Sequence, residues 1–172
     1  VAGAKPREIL IVTGHWEADA FTANAHRSPG LLYDYTGFPE HTYRLTWPAP
    51  GSPELAARVR QLLADAGFPA AEDHDRGLDH GVFIPLKVAW PDAGIPTAQL
   101  SLVSGLDPRV HLEIGRAVAP LRDEGVLILG SGMSYHNMRG FMSSGALAHS
   151  KAFDAWLAET AQRTPINTEA KL

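Results

Sequence analysis

Two short aliphatic segments constrain the fold most, because each ends at a glycine and is followed at once by polar residues. They read EILIVTG, residues 8–14, and VLILGSG, residues 126–132. An apolar run of this length, bounded by turn residues, is typical of a strand buried on both faces of a sheet. We therefore predict that these segments are two strands of a mostly parallel sheet.

Segments with helical periodicity alternate with the strand-like runs. Residues 52–67 predict an amphipathic helix that Ser52 caps and Gly67 ends. Residues 81–91 predict a shorter helix with Pro85 in its first turns, and residues 95–103 alternate in polarity like a strand. A third helix is predicted to begin at Asp107 and Pro108. A last helix is predicted to contain Phe153, Trp156 and Leu157.

This alternation predicts an α/β fold in a single domain, with helices on both faces of the sheet and a site at the carboxyl ends of the strands. Residues 1–172 are taken as that one domain, since 172 residues suffice for one core. Residues 16–51 show little periodicity, and we expect a long irregular segment there. Such segments in compact domains are usually functional.

The composition excludes several classes of partner and site. The chain has no cysteine, which rules out disulfides, thiolate nucleophiles and cysteine-ligated metals. A net charge of −4 without a basic run argues against nucleic acid. No apolar run has the length of a bilayer span and no signal segment opens the chain, so we expect no membrane partner and a cytoplasmic location. The oligomeric state stays open, a homodimer included.

Three histidines next to glycines are the candidate site residues. His15 and His136 follow the two aliphatic runs, which predicts that both lie at the carboxyl edge of the sheet. His80 lies between Gly77 and Gly81, before a predicted helix. The residues alone leave other roles open: His136 could cap a helix, and His80 could belong to a surface turn. Most of the other five histidines, which lie in loops or on predicted helix faces, are expected to be solvated: His26, His41, His74, His111 and His149.

Other motifs do not complete a site. GSGMSY lacks the third glycine of a dinucleotide fingerprint and the lysine of a P-loop. HWE, residues 15–17, matches the zinc-deaminase H-x-E pattern, but that site needs cysteines. Ser131 or Ser134 near His136 leaves open the hypothesis of a serine hydrolase, although no G-x-S-x-G elbow is present.

Nearly the whole chain resembles the class III extradiol ring-cleavage dioxygenases, in the branch of the 4,5-DOPA dioxygenases. The segments that carry the resemblance occur in this order: ILIVTGHWE, YDYTGFPEHTYRLTWPAPGSPELA, RGLDHGVFIPL, IPTAQLSL, LRDEGVLILGSGMSYHNMR and FDAWL. The resemblance implies non-haem Fe(II), which zinc can replace in isolated proteins, and a catechol such as DOPA with O2 as substrates. The enzyme would insert O2 and open the catechol ring.

The resemblance also assigns roles to the three histidines. His15 is similar to a metal ligand, His136 to the acid/base histidine beside the substrate, and His80 to a histidine that hydrogen-bonds substrate or oxygen. Tyr135 and Asn137 would orient His136 or pack into the core. Residues 35–43, YTGFPEHTY, would form a pocket wall or lid, or serve packing alone.

The family's pattern contains two ligands that have no match in this chain. One is a histidine in an SHG-like turn after an earlier strand, and the other lies late in the chain, where Glu169 is a weak substitute. We expect that residues 1–172 omit an N-terminal strand and a C-terminal segment of the family's pattern. The alternative is a catalytically incomplete metal- or ligand-binding member of the same fold.

Overall fold

The computed structural model describes residues 5–140, 143 and 145–163, and these fall into two compact units. The first ends at Gly132 and the second begins at Met133. Five strands and three α-helices lie in the first unit: β1 (Glu8–Ala18), β2 (Phe21–Asn24), α1 (Pro53–Asp65), β3 (Ala70–Asp73), α2 (His80–Ala89), β4 (Thr97–Val103), α3 (Pro108–Val118) and β5 (Val126–Ser131). Two short 3₁₀ helices, Glu40–Arg44 and Ala119–Arg122, complete it.

A mostly parallel sheet organises the first unit, as the sequence predicted. Its strand order is β3-β2-β4-β1-β5. β1 pairs in parallel with both β4 and β5, and β2 pairs in parallel with β3, whereas β2 and β4 are antiparallel. The α/β fold class is therefore confirmed.

Helices cover both faces of this sheet. Neighbouring residues of β1 point to opposite faces, and both sets are apolar and packed against helices. Leu10 packs in one buried cluster with residues of α1 and α3, such as Val59 and Ile114. Ile9 and Ile11 pack in a second cluster with residues of α2, including Phe83. Burial on both faces explains the continuous aliphatic run in this strand.

Helix α1 shows how the local sequence sets an element's ends. The Ser52 hydroxyl accepts a hydrogen bond from the backbone N–H of Leu55 at 3.1 Å, and Pro53 occupies the first turn. After the helix, Gly67 adopts φ +83°, a conformation that glycine tolerates best. The prediction for this helix is confirmed.

The region between β1 and α1 differs from the prediction. β1 does not stop at Gly14 but continues to Ala18, and β2 follows it within the segment expected to be irregular. β3 carried no apolar run and was also missed. β4 is buried on both faces from Thr97 to Ser101, so its alternating polarity does not mark an exposed face. Whether these segments form strands depends on pairing with distant parts of the chain, which a local sequence pattern does not contain.

The second unit contains helix α4 (Ala146–Arg163), which holds Phe153 and Trp156 in ring contact at 5.4 Å. This agrees with the last predicted helix. None of the helices in the described ranges is long and apolar enough to cross a bilayer. The cytoplasmic location and the single-domain assignment stay predictions.

Candidate metal and substrate site

His15 lies where β1 leaves its regular pairing. The ladder with β5 ends at Thr13, and the register with β4 shifts between Val12 and Glu17. His15 is therefore inside the strand but beyond the regular ladders, at the carboxyl edge that the sequence predicted. The irregularity turns its ring toward solvent, and its side chain is 34% exposed.

His80 is the first residue of α2 and contacts His15 directly. The centroids of the two imidazole rings are 4.0 Å apart. Gly81 makes this approach possible, because a Cβ at that position would lie 3.1 Å from Cδ2 of His15. The structure thus brings together two of the three histidines that the sequence singled out.

Asp34 joins the two histidines and was not identified from the sequence. Its Oδ1 lies 2.8 Å from Nδ1 of His80 and accepts a hydrogen bond from the His80 backbone N–H at 3.0 Å. Its Oδ2 lies 3.7 Å from Nδ1 of His15. Asp34 lies in the long segment without periodicity and within YDYTGFPEHTYRLTWPAPGSPELA, but no motif marked it as a site residue.

Backbone hydrogen bonds place the Asp34 loop against the start of α2. The N–H of Leu32 donates to the carbonyl of Leu78 at 2.7 Å, and the N–H of Leu78 donates to the carbonyl of Gly30 at 2.8 Å. This short parallel bridge holds Asp34 beside the first turn of the helix, where its carboxylate accepts the backbone N–H of His80.

The environment of Asp34 favours its charged form. Partial burial raises the pKa of Asp34, but hydrogen bonds from the backbone and ring of His80 lower it by more. The net result is a pKa below the ordinary value for aspartate. The carboxylate can therefore act as an anionic oxygen donor at neutral pH.

The donor set of His15, Asp34 and His80 fits a divalent cation. One ligand atom from each residue lies within 4.8 Å of the others. Two atoms bound to one cation at about 2.1 Å are about 3.0 Å apart at a right angle and about 3.4 Å apart at the tetrahedral angle. The 3.7 Å between Nδ1 of His15 and Oδ2 of Asp34 is close to the tetrahedral value, whereas the 2.8 Å between Nδ1 of His80 and Oδ1 of Asp34 is a hydrogen bond. Two imidazoles and a carboxylate are also the donor types that suit non-haem Fe(II).

An apolar cavity opens beside His80. Its volume is about 340 Å³, within the range of small-molecule sites. The Tyr35 ring meets the His80 ring edge-on at 5.6 Å, and its hydroxyl donates to the Thr42 carbonyl at 2.6 Å. The segment YTGFPEHTY therefore contributes a cavity wall. The lining residues are Tyr35, Phe38, Thr42, Leu45, His80 and Ile84.

His136 belongs to the second unit, in the turn between β5 and α4. It is exposed and lines a cavity of about 290 Å³ together with Tyr135 and Asn137. Oδ1 of Asn137 accepts hydrogen bonds from the backbone N–H groups of Arg139 and Gly140, so this side chain shapes the turn. The convergence of His136 with His15 and His80 stays a prediction.

The structure also describes two other residues that the sequence analysis considered, Ser131 and His111. The Ser131 hydroxyl donates to the Gly81 carbonyl at 2.6 Å, so it serves α2 and is not a free nucleophile. His111 is not simply solvated: it is half-buried, and its Nε2 accepts from the Val103 N–H at 3.3 Å. Glu169 lies outside the described residues.

Comparison with known proteins identifies the family of this chain. The family described as the catalytic LigB subunit of aromatic ring-opening dioxygenase matches residues 1–170. The chain belongs to the LigB family. An extradiol 4,5-DOPA dioxygenase of Beta vulgaris is 47% identical to it over 160 residues, which are 91% of the chain and 59% of the relative. The resemblance noted from the sequence is therefore confirmed.

Two further similar proteins are from Escherichia coli K12. A 4,5-DOPA dioxygenase extradiol is 40% identical over 136 residues, or 78% of the chain and 49% of that protein. The crystal structure of an uncharacterized protein has a TM-score of 0.65 at 38% identity, covering 79% of the chain and 50% of the other. The chain thus spans about three-fifths of the length of the Beta vulgaris relative and about half of the length of each Escherichia coli protein.

Proposed function

We propose that the protein is an Fe(II)-dependent extradiol dioxygenase that opens the ring of a catechol such as DOPA. The observation that carries this proposal is the grouping of His15, Asp34 and His80 beside an aromatic-walled cavity. The naming of several relatives as 4,5-DOPA dioxygenases supports the substrate class. In this reaction both atoms of O2 enter the product while one ring carbon–carbon bond breaks, so no external reductant is needed.

His15 is the proposed metal ligand, with Oδ2 of Asp34 as a neighbouring oxygen donor. Oδ1 of Asp34 is already engaged by the ring and backbone of His80, whereas Oδ2 faces His15. A bound Fe(II) would supply coordination positions for the catechol oxygens and for O2. Zinc would bind the same donors without supporting O2 chemistry.

His80 is the proposed substrate-side histidine. Asp34 engages Nδ1, which leaves Nε2 as the ring nitrogen available for a hydrogen bond to a catechol hydroxyl or to oxygen. The cavity that His80 lines is otherwise apolar and aromatic, which suits a flat ring. His80 would therefore orient the substrate as one wall of its site.

His136 is the proposed acid/base residue. A neutral imidazole can accept a proton from a catechol hydroxyl and return it to the ring-opened product. Its exposed position in a turn leaves the ring accessible to a ligand. This role rests on the match between GSGMSYHN and the family's pattern.

The test is anaerobic loading with Fe(II), followed by O2 uptake on addition of DOPA, caffeate or protocatechuate. Wild-type protein should consume O2 with at least one of these catechols. His136→Ala should keep its iron but lose uptake, whereas His149→Ala, in an exposed histidine of α4, should behave as wild type. Iron binding by wild type without uptake of O2 would instead favour the alternative of a ligand-binding protein.

A further inference from the structure

A buried polar cluster lies directly behind His15 and His80. It consists of Thr13, Asp79 and Gln99, each no more than 1% exposed, together with Arg76. The Thr13 hydroxyl donates to Oδ2 of Asp79 at 3.0 Å, and Nε2 of Gln99 donates to the same carboxylate oxygen and to Oγ1 of Thr13. Nη2 of Arg76 pairs with that oxygen at 3.4 Å.

Burying such a polar cluster in a core has a desolvation cost. Apolar residues of similar volume are often as stabilising as a buried ion pair. Oδ1 of Asp79 and Oε1 of Gln99 also have no hydrogen-bond partner among the described residues. Stability alone therefore does not account for the cluster, and its position suggests what else it does.

The cluster connects the backbones that carry the two histidines. Oγ1 of Thr13 accepts a hydrogen bond from the backbone N–H of His15 at 3.3 Å. Asp79 precedes His80, and its carbonyl accepts from the N–H groups of Val82 and Phe83 in the first turn of α2. One carboxyl group is thus tied to the histidine of β1 on one side and to the start of α2 on the other.

Further contacts concentrate on the same point. A Cβ on Gly81 would lie 3.2 Å from Oδ1 of Asp79 as well as 3.1 Å from Cδ2 of His15. The guanidinium of Arg76 lies 4.4 Å from the centroid of the Trp16 ring, next along the chain from His15. A shift of the Asp79 carboxyl would therefore be transmitted to β1 at both residues.

We propose that Asp79 is a positioning residue: acting through Thr13, its buried carboxyl sets the separation of His15 and His80. Its consequence for metal binding rests on the proposed function, but the positioning itself does not. Carboxylates behind metal-binding histidines act in this way, and their loss costs roughly 10- to 100-fold in metal affinity. Here the link runs through a hydroxyl and a backbone N–H, not through the imidazole.

The test compares Thr13→Val with Thr13→Ser and with Thr97→Val. Thr13→Val keeps the shape but removes the hydroxyl link, and Thr13→Ser restores it. Thr97 is an equally buried threonine of β4 whose hydroxyl donates to the Ile95 carbonyl, away from the cluster. Thr97→Val therefore controls for the loss of a buried hydrogen bond.

The readouts are the His15 and His80 ring resonances of metal-free protein by NMR, the affinity for Fe(II), and the melting temperature. Both valine variants should melt at lower temperatures. Only Thr13→Val should move the ring resonances and weaken Fe(II) binding roughly tenfold or more, and Thr13→Ser should return both toward wild type. Equal resonances and affinities in Thr13→Val and Thr97→Val would overturn the proposal.

Two further results keep the proposals separate. If wild type consumes no O2 with any catechol, the proposed function fails while the NMR comparison still tests the positioning role. If Thr13→Val does not fold, amide hydrogen exchange of wild type supplies the test. The His15 N–H should exchange more slowly than in an unstructured peptide, although the residue is exposed. Exchange at the unstructured rate would overturn the link through Thr13.

Discussion

Nδ1 of His80 lies 2.8 Å from Oδ1 of Asp34, and the backbone N–H of the same histidine donates to the same oxygen at 3.0 Å. This double contact fixes the His80 ring against a loop distant in sequence. It also leaves the second carboxylate oxygen facing His15. We therefore expect one residue, Asp34, to affect both metal binding and substrate orientation.

Asp34→Asn should weaken divalent-cation binding by roughly 10- to 100-fold, because the amide removes the negative charge beside His15. Anaerobic titration with Fe(II) or Mn(II) measures this. Glu40→Gln is the matched control, since it removes a charge from the same segment, where Glu40 pairs with Arg44 and not with the histidines. Equal affinities in the two variants would exclude Asp34 as a donor.

Ser131→Ala should destabilise the protein by about 1–3 kcal/mol, the usual cost of leaving a buried acceptor unpaired. The acceptor is the Gly81 carbonyl, which lacks its helical partner because Pro85 has no N–H. Urea unfolding of both single variants and the double variant measures the effect. The loss should be smaller in the Pro85→Ala background, where a backbone N–H becomes available. An undiminished loss in that background would contradict this explanation.

Gly81→Ala should be destabilising although it lies in a helix. Its Cβ would press on His15, Thr13 and Asp79, and overpacking costs about 1–3 kcal/mol against a helical gain of no more than about 1 kcal/mol. Gly115→Ala, with open space around its Cβ in α3, should be stabilising. Thermal unfolding of the two variants measures the difference. Equal increases in melting temperature would mean that His15 moves aside for the new Cβ without cost.

The pair of Glu124 and Arg58 predicts a dependence of stability on pH. The hydrogen bond and charge of Arg58 lower the pKa of Glu124 below its usual value, so the folded state favours the ionised form. The stability that Glu124 adds should be present above about pH 4.5 and lost as the pH falls through its folded-state pKa. Urea midpoints of wild type and Glu124→Gln should therefore converge in acid. A difference that persists at pH 2 would contradict this.

The sequence predicted the elements whose pattern is local. Aliphatic runs bounded by glycine located β5 and the start of β1, and Ser52 with Gly67 located α1. β2 and β3 were missed because they are short and depend on pairing with each other. The extension of β1 past His15 depends on a register shift against β4, which a local pattern does not contain.

The candidate site was predicted in part for the same reason. Glycines beside His15 and His80 indicated close approach, and the rings are in contact. Asp34 reaches them only through the bridge between Leu31 and Leu78, a tertiary pairing without a sequence motif. The proposed role of Asp79 could not be predicted from the sequence either, because its partners Thr13 and Gln99 come from two different strands.

Iron content shows whether His15 holds the metal. Wild type, His15→Ala and His80→Gln would be loaded with Fe(II) without oxygen, desalted and analysed for bound iron. This metal-ligand role predicts that wild type and His80→Gln retain iron and that His15→Ala does not. Equal iron in wild type and His15→Ala would contradict it.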